Sequence, residues 1–211
     1  MKIFYPSNIW RFMLLIIASM LITSPIMELN EIIDTSTLQL AMMIVLCLAM
    51  TTLYYFAAKK SGNQWLKKSE LYINVTLREI LWGICLGTIF TLAVLAYGRF
   101  VTGEATSSRI SVISFVGAVI LGPIIEEWIF RGIFLKSMLT KIGEKNAILI
   151  SAIVFGLVHA GSSLNPAQIV GAIGLGYYFG YVYVEHRSLT NTIILHSIIN
   201  GIGLIGMQFL R

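Results

Sequence analysis

The chain has 211 residues, of which 57% are apolar and only 12% are charged. A soluble domain carries about 25% charged residues, so this composition excludes a water-soluble globule. The net charge of +5 comes from lysines and arginines gathered between apolar runs, as membrane-protein loops show, and the exposed basic face with interleaved aromatics that a nucleic-acid partner requires is not visible.

Apolar runs near 20 residues recur along the whole chain, each long enough for the roughly 30 Å core of a bilayer. They predict spans at about 9–27, 38–58, 79–98, 110–135, 146–161, 166–184 and 189–209. The expected fold class is therefore all-α: a polytopic membrane bundle of about seven transmembrane helices, with a cluster of polar residues within the bilayer. Residues 1–211 read as a single integral membrane domain without repeats or low-complexity segments.

Lys2 and Arg11 precede the first run as in a signal peptide, but no small-residue cleavage site follows, so it reads as a retained first span. Cys47 and Cys85 fall inside apolar runs and read as small hydrophobic residues. Spans one to three hold no ionisable group at depth, and Lys59–Arg78, with Trp65 and Tyr72, reads as an interfacial stretch on the cytoplasmic surface. With the N-terminus inside, eleven lysines and arginines lie on the cytoplasmic side and three (Arg99, Arg109 and Arg211) outside. This asymmetry predicts a multi-pass cell-membrane protein with a cytoplasmic N-terminus and an external C-terminus.

Span four carries Glu126, Glu127 and Arg131 inside its apolar run, where each ionised group costs roughly 2.5–3.5 kcal/mol. Glu127 and Arg131, at i and i+4, share a helical face and can pair. Glu126, rotated by about 100°, must find another partner. Pro123, lacking an N–H, should kink the helix or loosen its ladder near the glutamates. Span five offers His159 and span seven offers His196 and Asn200 on one face, while His186 in Glu185-His-Arg187 reads as a solvated or headgroup-facing cluster. In span six, Ala172, Gly176 and Gly180 form a small-residue stripe for close helix packing. Counted from flanking basic residues at 1.5 Å per residue, Glu126 lies about 15 Å from the cytoplasmic end, His196 roughly 10–14 Å and His159 about 20 Å. A carboxylate and two imidazoles thus approach one level from three helices.

Glu126-Glu127-x-x-x-Arg131, Phe155-x-x-x-His159 and His196-x-x-x-Asn200, with Pro123, Phe130-Arg131-Gly132 and Leu135, resemble the motifs of the CPBP family, also called the Abi or type II CAAX-protease family of intramembrane endopeptidases. The resemblance covers approximately 110–205. It implies hydrolysis of a peptide bond in a membrane-associated peptide, lipopeptide or protein by a water that Glu126 and His159 activate. His196 and Asn200 would stabilise the oxyanion, and Glu127 and Arg131 would be the supporting pair. It leaves the cofactor open: none for a glutamate protease, or zinc on Glu126, His159 and His196 for a metalloprotease. Implied roles are peptide maturation, bacteriocin self-immunity or cleavage of a membrane regulator. Two alternatives compete, a non-catalytic immunity or peptide-binding protein using the same cavity, and a small proton-coupled transporter. The transporter should show an internal repeat or matched broken helices, and neither is found.

Overall fold

A computed structural model describes residues 68–103, 112–159 and 165–209, with eight helical positions between 41 and 55. The predicted first span, Cys47, the 59–67 part of the interfacial stretch, Arg109 and Arg211 lie outside the described residues.

Among the described residues all regular structure is helical. Five main helices follow in order: α1 (Leu77–Tyr97), α2 (Val112–Ile142), α3 (Glu144–Val158), α4 (Pro166–His186) and α5 (Leu189–Phe209). Three helical stretches, Leu77–Val101, Val112–Ile142 and Leu189–Gln208, are long and apolar enough to cross a membrane. The fifteen-residue α3 reaches only about 22 Å at 1.5 Å per residue, short of the roughly 30 Å core. The chain is thus a helical membrane protein, and the count of seven spans is not established.

The helix starts follow local chemistry. Thr76 and Glu79 form a capping box in which Glu79 N–H donates to Thr76 Oγ1 at 3.3 Å and Thr76 N–H donates to Glu79 Oε2 at 2.7 Å. Asn165 caps α4 by accepting from Ala167 N–H and Gln168 N–H, ahead of Pro166. The small-residue stripe packs α4 on α3 as expected: a Cβ on Gly176 would sit 3.1 Å from Ala152 Cα and 3.2 Å from Phe155 Cδ1.

Helix α2 is longer and less regular than the expected 110–135. It widens into π-helical turns at Gly117–Leu121 and Trp128–Leu135, on either side of the α-helical Gly122–Glu127. The first turn lies directly before Pro123, whose ring crowds the preceding turn and whose nitrogen donates nothing. A widened turn accommodates both defects, and such turns are frequent at functional sites. The helix continues through Lys136 to Ile142, so Lys136 and Lys141 belong to its last turns and not to a loop.

The Lys59–Arg78 stretch departs from expectation where it is described. Its 68–76 part is tied to the bundle: Lys136 pairs with Glu70, Ser188 Oγ donates to Tyr72 O at 2.5 Å, and Asn74 N–H donates to Asn191 Oδ1 at 3.0 Å. His186 is likewise not a solvated residue. Its Nε2 lies 2.5 Å from Glu79 Oε1, so it links the end of α4 to the start of α1. The buried glutamate draws the imidazole inward because an unpaired carboxylate there would be costly.

Apolar packing forms two clusters. Phe130, Phe134, Leu135, Ile148 and Phe155 join the second half of α2 to α3, while Leu175, Phe179, Leu195 and Ile199 join α4 to α5. The polar residues of spans four, five and seven meet where these clusters face each other.

Candidate active site

The innermost group is a buried ion pair. Glu127 and Arg131 are both 0% exposed, and Arg131 Nη1 donates to Glu127 Oε1 at 2.9 Å. Arg131 Nη2 donates to the carbonyl of Gly176 at 2.8 Å. Three aromatic rings surround the guanidinium, with Phe155, Phe179 and Phe130 centroids at 4.8, 5.3 and 5.9 Å. A desolvated cation–π contact contributes about 2 kcal/mol, so the cage offsets part of the cost of burying the cation. Arg131 Nε and Glu127 Oε2 have no hydrogen-bond partner among the described residues.

His196 joins this pair from α5. Its Nδ1 lies 2.9 Å from Glu127 Oε1, the same oxygen that Arg131 uses. A carboxylate paired with arginine can only accept, so Nδ1 carries the proton and Nε2 points elsewhere. Phe179 stacks on the imidazole at 4.7 Å and 22°, and Phe155 meets it edge-on at 5.9 Å. Ring orientation and tautomer are both set by these neighbours.

His159 stands at the C-terminal cap of α3, because the helix ends at Val158, three residues short of the end of the predicted 146–161 span. Its Nδ1 is 2.7 Å from the Phe155 carbonyl. A carbonyl only accepts, so this histidine too holds its proton on Nδ1 and turns Nε2 outward. Phe155 lies against its ring at 4.2 Å.

Both Nε2 atoms converge on Glu126. Oε2 of that carboxylate is 3.3 Å from His159 Nε2 and 3.7 Å from His196 Nε2. The side chains of Glu126 and His159 are 20% and 29% exposed, against 0% for Glu127. The two adjacent glutamates therefore do different work. Glu127 is fully buried with Oε1 held by two fixed donors, whereas the Glu126 side chain keeps partial exposure and sets its buried Oε2 beside two ring nitrogens that can accept or relay a proton.

Five of the six site residues read from the sequence thus meet in one cluster. The sixth, Asn200, points along α2: its Nδ2 donates to the Ala118 carbonyl at 2.8 Å. Two contributors were not read from the sequence. Phe179 stacks on His196, and Gly176 supplies a carbonyl to Arg131 as well as its packing role. The only signal at Gly176 was its small size, and Phe179 carried none beyond an apolar position in span six. Among the described residues no group of three His, Cys, Asp or Glu side chains is spaced to hold a metal ion as it stands. The donor set for one would be Glu126, His159 and His196, with each Nδ1 anchored and Nε2 left to ligate, as metal-binding histidines usually are.

Residues 108–202 match the family model described as type II CAAX prenyl endopeptidase Rce1-like. This match falls on the same region as the three motifs and agrees with the resemblance drawn from them. Among curated proteins, "Putative membrane peptidase YdiL" of Bacillus subtilis (strain 168) is 27% identical over 135 residues, 58% of this chain and 54% of that protein. "UPF0177 protein YaiF" of Lactococcus lactis subsp. lactis (strain IL1403) is 28% identical over 182 residues, 74% of this chain and 75% of that protein. The match spans about half the length of the Bacillus subtilis relative. No solved structure matches the chain. At the family level these likenesses support a CAAX-protease-like membrane peptidase.

Proposed function

We propose that this chain, with the Rce1-like match across 108–202, is an intramembrane endopeptidase that hydrolyses a peptide bond with water activated by Glu126 and His159. The observation that carries the reading is the partly exposed Glu126 side chain, whose Oε2 lies 3.3 Å from His159 Nε2 and 3.7 Å from His196 Nε2. A water between Glu126 and the scissile carbonyl gives its proton to Glu126 as its oxygen attacks. His159, whose Nε2 lone pair faces Glu126, takes that proton and passes it to the leaving amine. The developing oxyanion needs a donor. His196 provides one when Nε2 is also protonated, and the Glu127 carboxylate beside Nδ1 stabilises that imidazolium.

The substrate class we propose is a membrane-associated peptide, lipopeptide or protein cut towards the cytoplasmic side, with the N-terminus inside and the C-terminus outside. Peptide maturation and bacteriocin self-immunity are the cellular roles to test first.

The test compares purified wild type, Glu126→Gln and His159→Ala on a quenched lipopeptide library, each with and without a zinc chelator. Hydrolysis lost in both variants and retained under chelation supports a glutamate-type peptidase. Loss on chelation with recovery on adding zinc assigns Glu126, His159 and His196 as metal donors and water activation to the metal. A wild type that binds lipopeptide without cutting it, and a Glu126→Gln variant that still confers immunity in cells, would replace the enzyme reading with peptide sequestration.

A further inference from the structure

We propose that Asn200 is a positioning residue whose side-chain amide replaces the backbone N–H that Pro123 lacks, holding His196 in register with Glu126 and Glu127. The argument starts from the ladder of α2. In the widened turn Gly117–Leu121, Gly122 N–H donates to Gly117 O, an i to i+5 bond. The next bond in that register would run from residue 123 to the Ala118 carbonyl. Residue 123 is proline and has no hydrogen to give. The neighbouring candidate, Gly122 N–H, is already committed to Gly117. The Ala118 carbonyl is therefore left without a backbone donor inside an apolar helix, where an unsatisfied carbonyl is unfavourable.

Asn200 Nδ2 fills the gap at 2.8 Å. It stands one turn after His196 on α5, and the same face of α5 touches α2 twice: His196 Nδ1 on Glu127 Oε1 at 2.9 Å and Asn200 on Ala118 O. Two contacts four residues apart fix both the rotation and the slide of one helix against the other. Without the second, α5 can pivot about the first, and the His196 Nε2 to Glu126 separation, 3.7 Å as it stands, is no longer defined. The role is distinct from donating to a substrate oxyanion, because the amide acts on its own protein and through His196.

A double-mutant comparison of Asn200→Ala and Pro123→Ala separates the two roles. Restoring a backbone N–H at position 123 gives the Ala118 carbonyl its own donor, so Asn200 becomes dispensable only if capping is its function. Asn200→Ala alone is expected to lower kcat by about 10²-fold through misplacement, with KM changed less than about threefold. In the Pro123→Ala background the same substitution should lower kcat by less than about threefold. Equal kcat losses in both backgrounds would overturn the proposal and leave Asn200 as a contact to substrate.

The kcat readout rests on the peptidase reading, so the melting temperature in detergent is measured on the same four proteins. Asn200→Ala should lower Tm in the proline background and leave it nearly unchanged in the Pro123→Ala background. Independent Tm losses refute the cap whether or not any variant hydrolyses peptide. A wild type without hydrolysis sinks the peptidase reading instead, and the Tm comparison still decides the cap.

Discussion

Replacing Arg131 by methionine is the sharpest probe of the buried pair. Arg131→Met keeps the side-chain volume and removes the charge, leaving the 0% exposed Glu127 carboxylate with only the His196 contact. Breaking one partner of a buried ion pair costs about 3–5 kcal/mol. For a chain of this size 1 kcal/mol moves Tm by about 2–4 °C, so a fall of roughly 6–20 °C is expected in detergent, followed by tryptophan fluorescence. The companion Glu127→Leu/Arg131→Met double variant removes both charges, and apolar replacements of buried pairs are often neutral or stabilising. It should regain most of the loss, short of the about 1–3 kcal/mol left by the Gly176 carbonyl that Arg131 no longer serves. Hydrolysis should not return in the double variant, because His196 Nδ1 has lost its acceptor. A Tm change below about 2 °C in Arg131→Met would refute the buried pair. Recovered hydrolysis in the double variant would refute the orienting role of Glu127.

Shortening each glutamate should give opposite outcomes. Glu126→Asp draws the base away from His159 and should cost about 10²-fold in kcat with Tm almost unchanged, whereas Glu127→Asp cannot reach Arg131 and His196 together and should lower both kcat and Tm. In α4, Gly176→Ala should lower Tm, because the added Cβ meets the Ala152 backbone at 3.1 Å and overpacking costs about 1–3 kcal/mol. Gly174→Ala has no neighbour within 4 Å and should raise stability by up to about 1 kcal/mol from helix propensity. Glu79→Ala removes half of the α1 capping box and the His186 partner, and should lower Tm by the equivalent of about 1–2 kcal/mol without a matching loss of kcat.

The helical-face reasoning carried a long way. Glu127 with Arg131 at i+4, and Glu126 forced to another partner, are local relations that 3.6 residues per turn determine, and the structure reproduces both. Counting depth from flanking lysines and arginines brought His159 and His196 to the level of Glu126. Pro123 signalled a loosened ladder, and widened turns flank it. What stayed illegible depends on partners far along the chain. His186 looked solvated because Arg187 and Glu185 flank it, but its partner Glu79 is 107 residues away. Asn200 looked like half of a donor pair with His196 because both share a face. The carbonyl it serves was invisible, since periodicity does not reveal a one-residue widening of another helix. Phe179 was one apolar residue among many in α4, and only the docking of α5 turns its ring onto His196.

Two adjacent carboxylates in one membrane helix would repel and would both be expensive to ionise if they faced the same way. The 100° step between neighbours resolves this by giving each a separate electrostatic setting. Glu127 turns into the protein, where a guanidinium and an imidazole share one of its oxygens. Its charge is compensated there, and its position follows from Arg131, which three rings and the Gly176 carbonyl hold in turn. Glu126 turns toward the two Nε2 atoms that those same anchors have aimed. The inner carboxylate thus orients His196 for the outer one, and the Phe155 carbonyl does the same for His159. This division explains why the two shortened variants should separate rate from stability: one carboxylate is locked into the buried ion pair, and the other faces the two histidines.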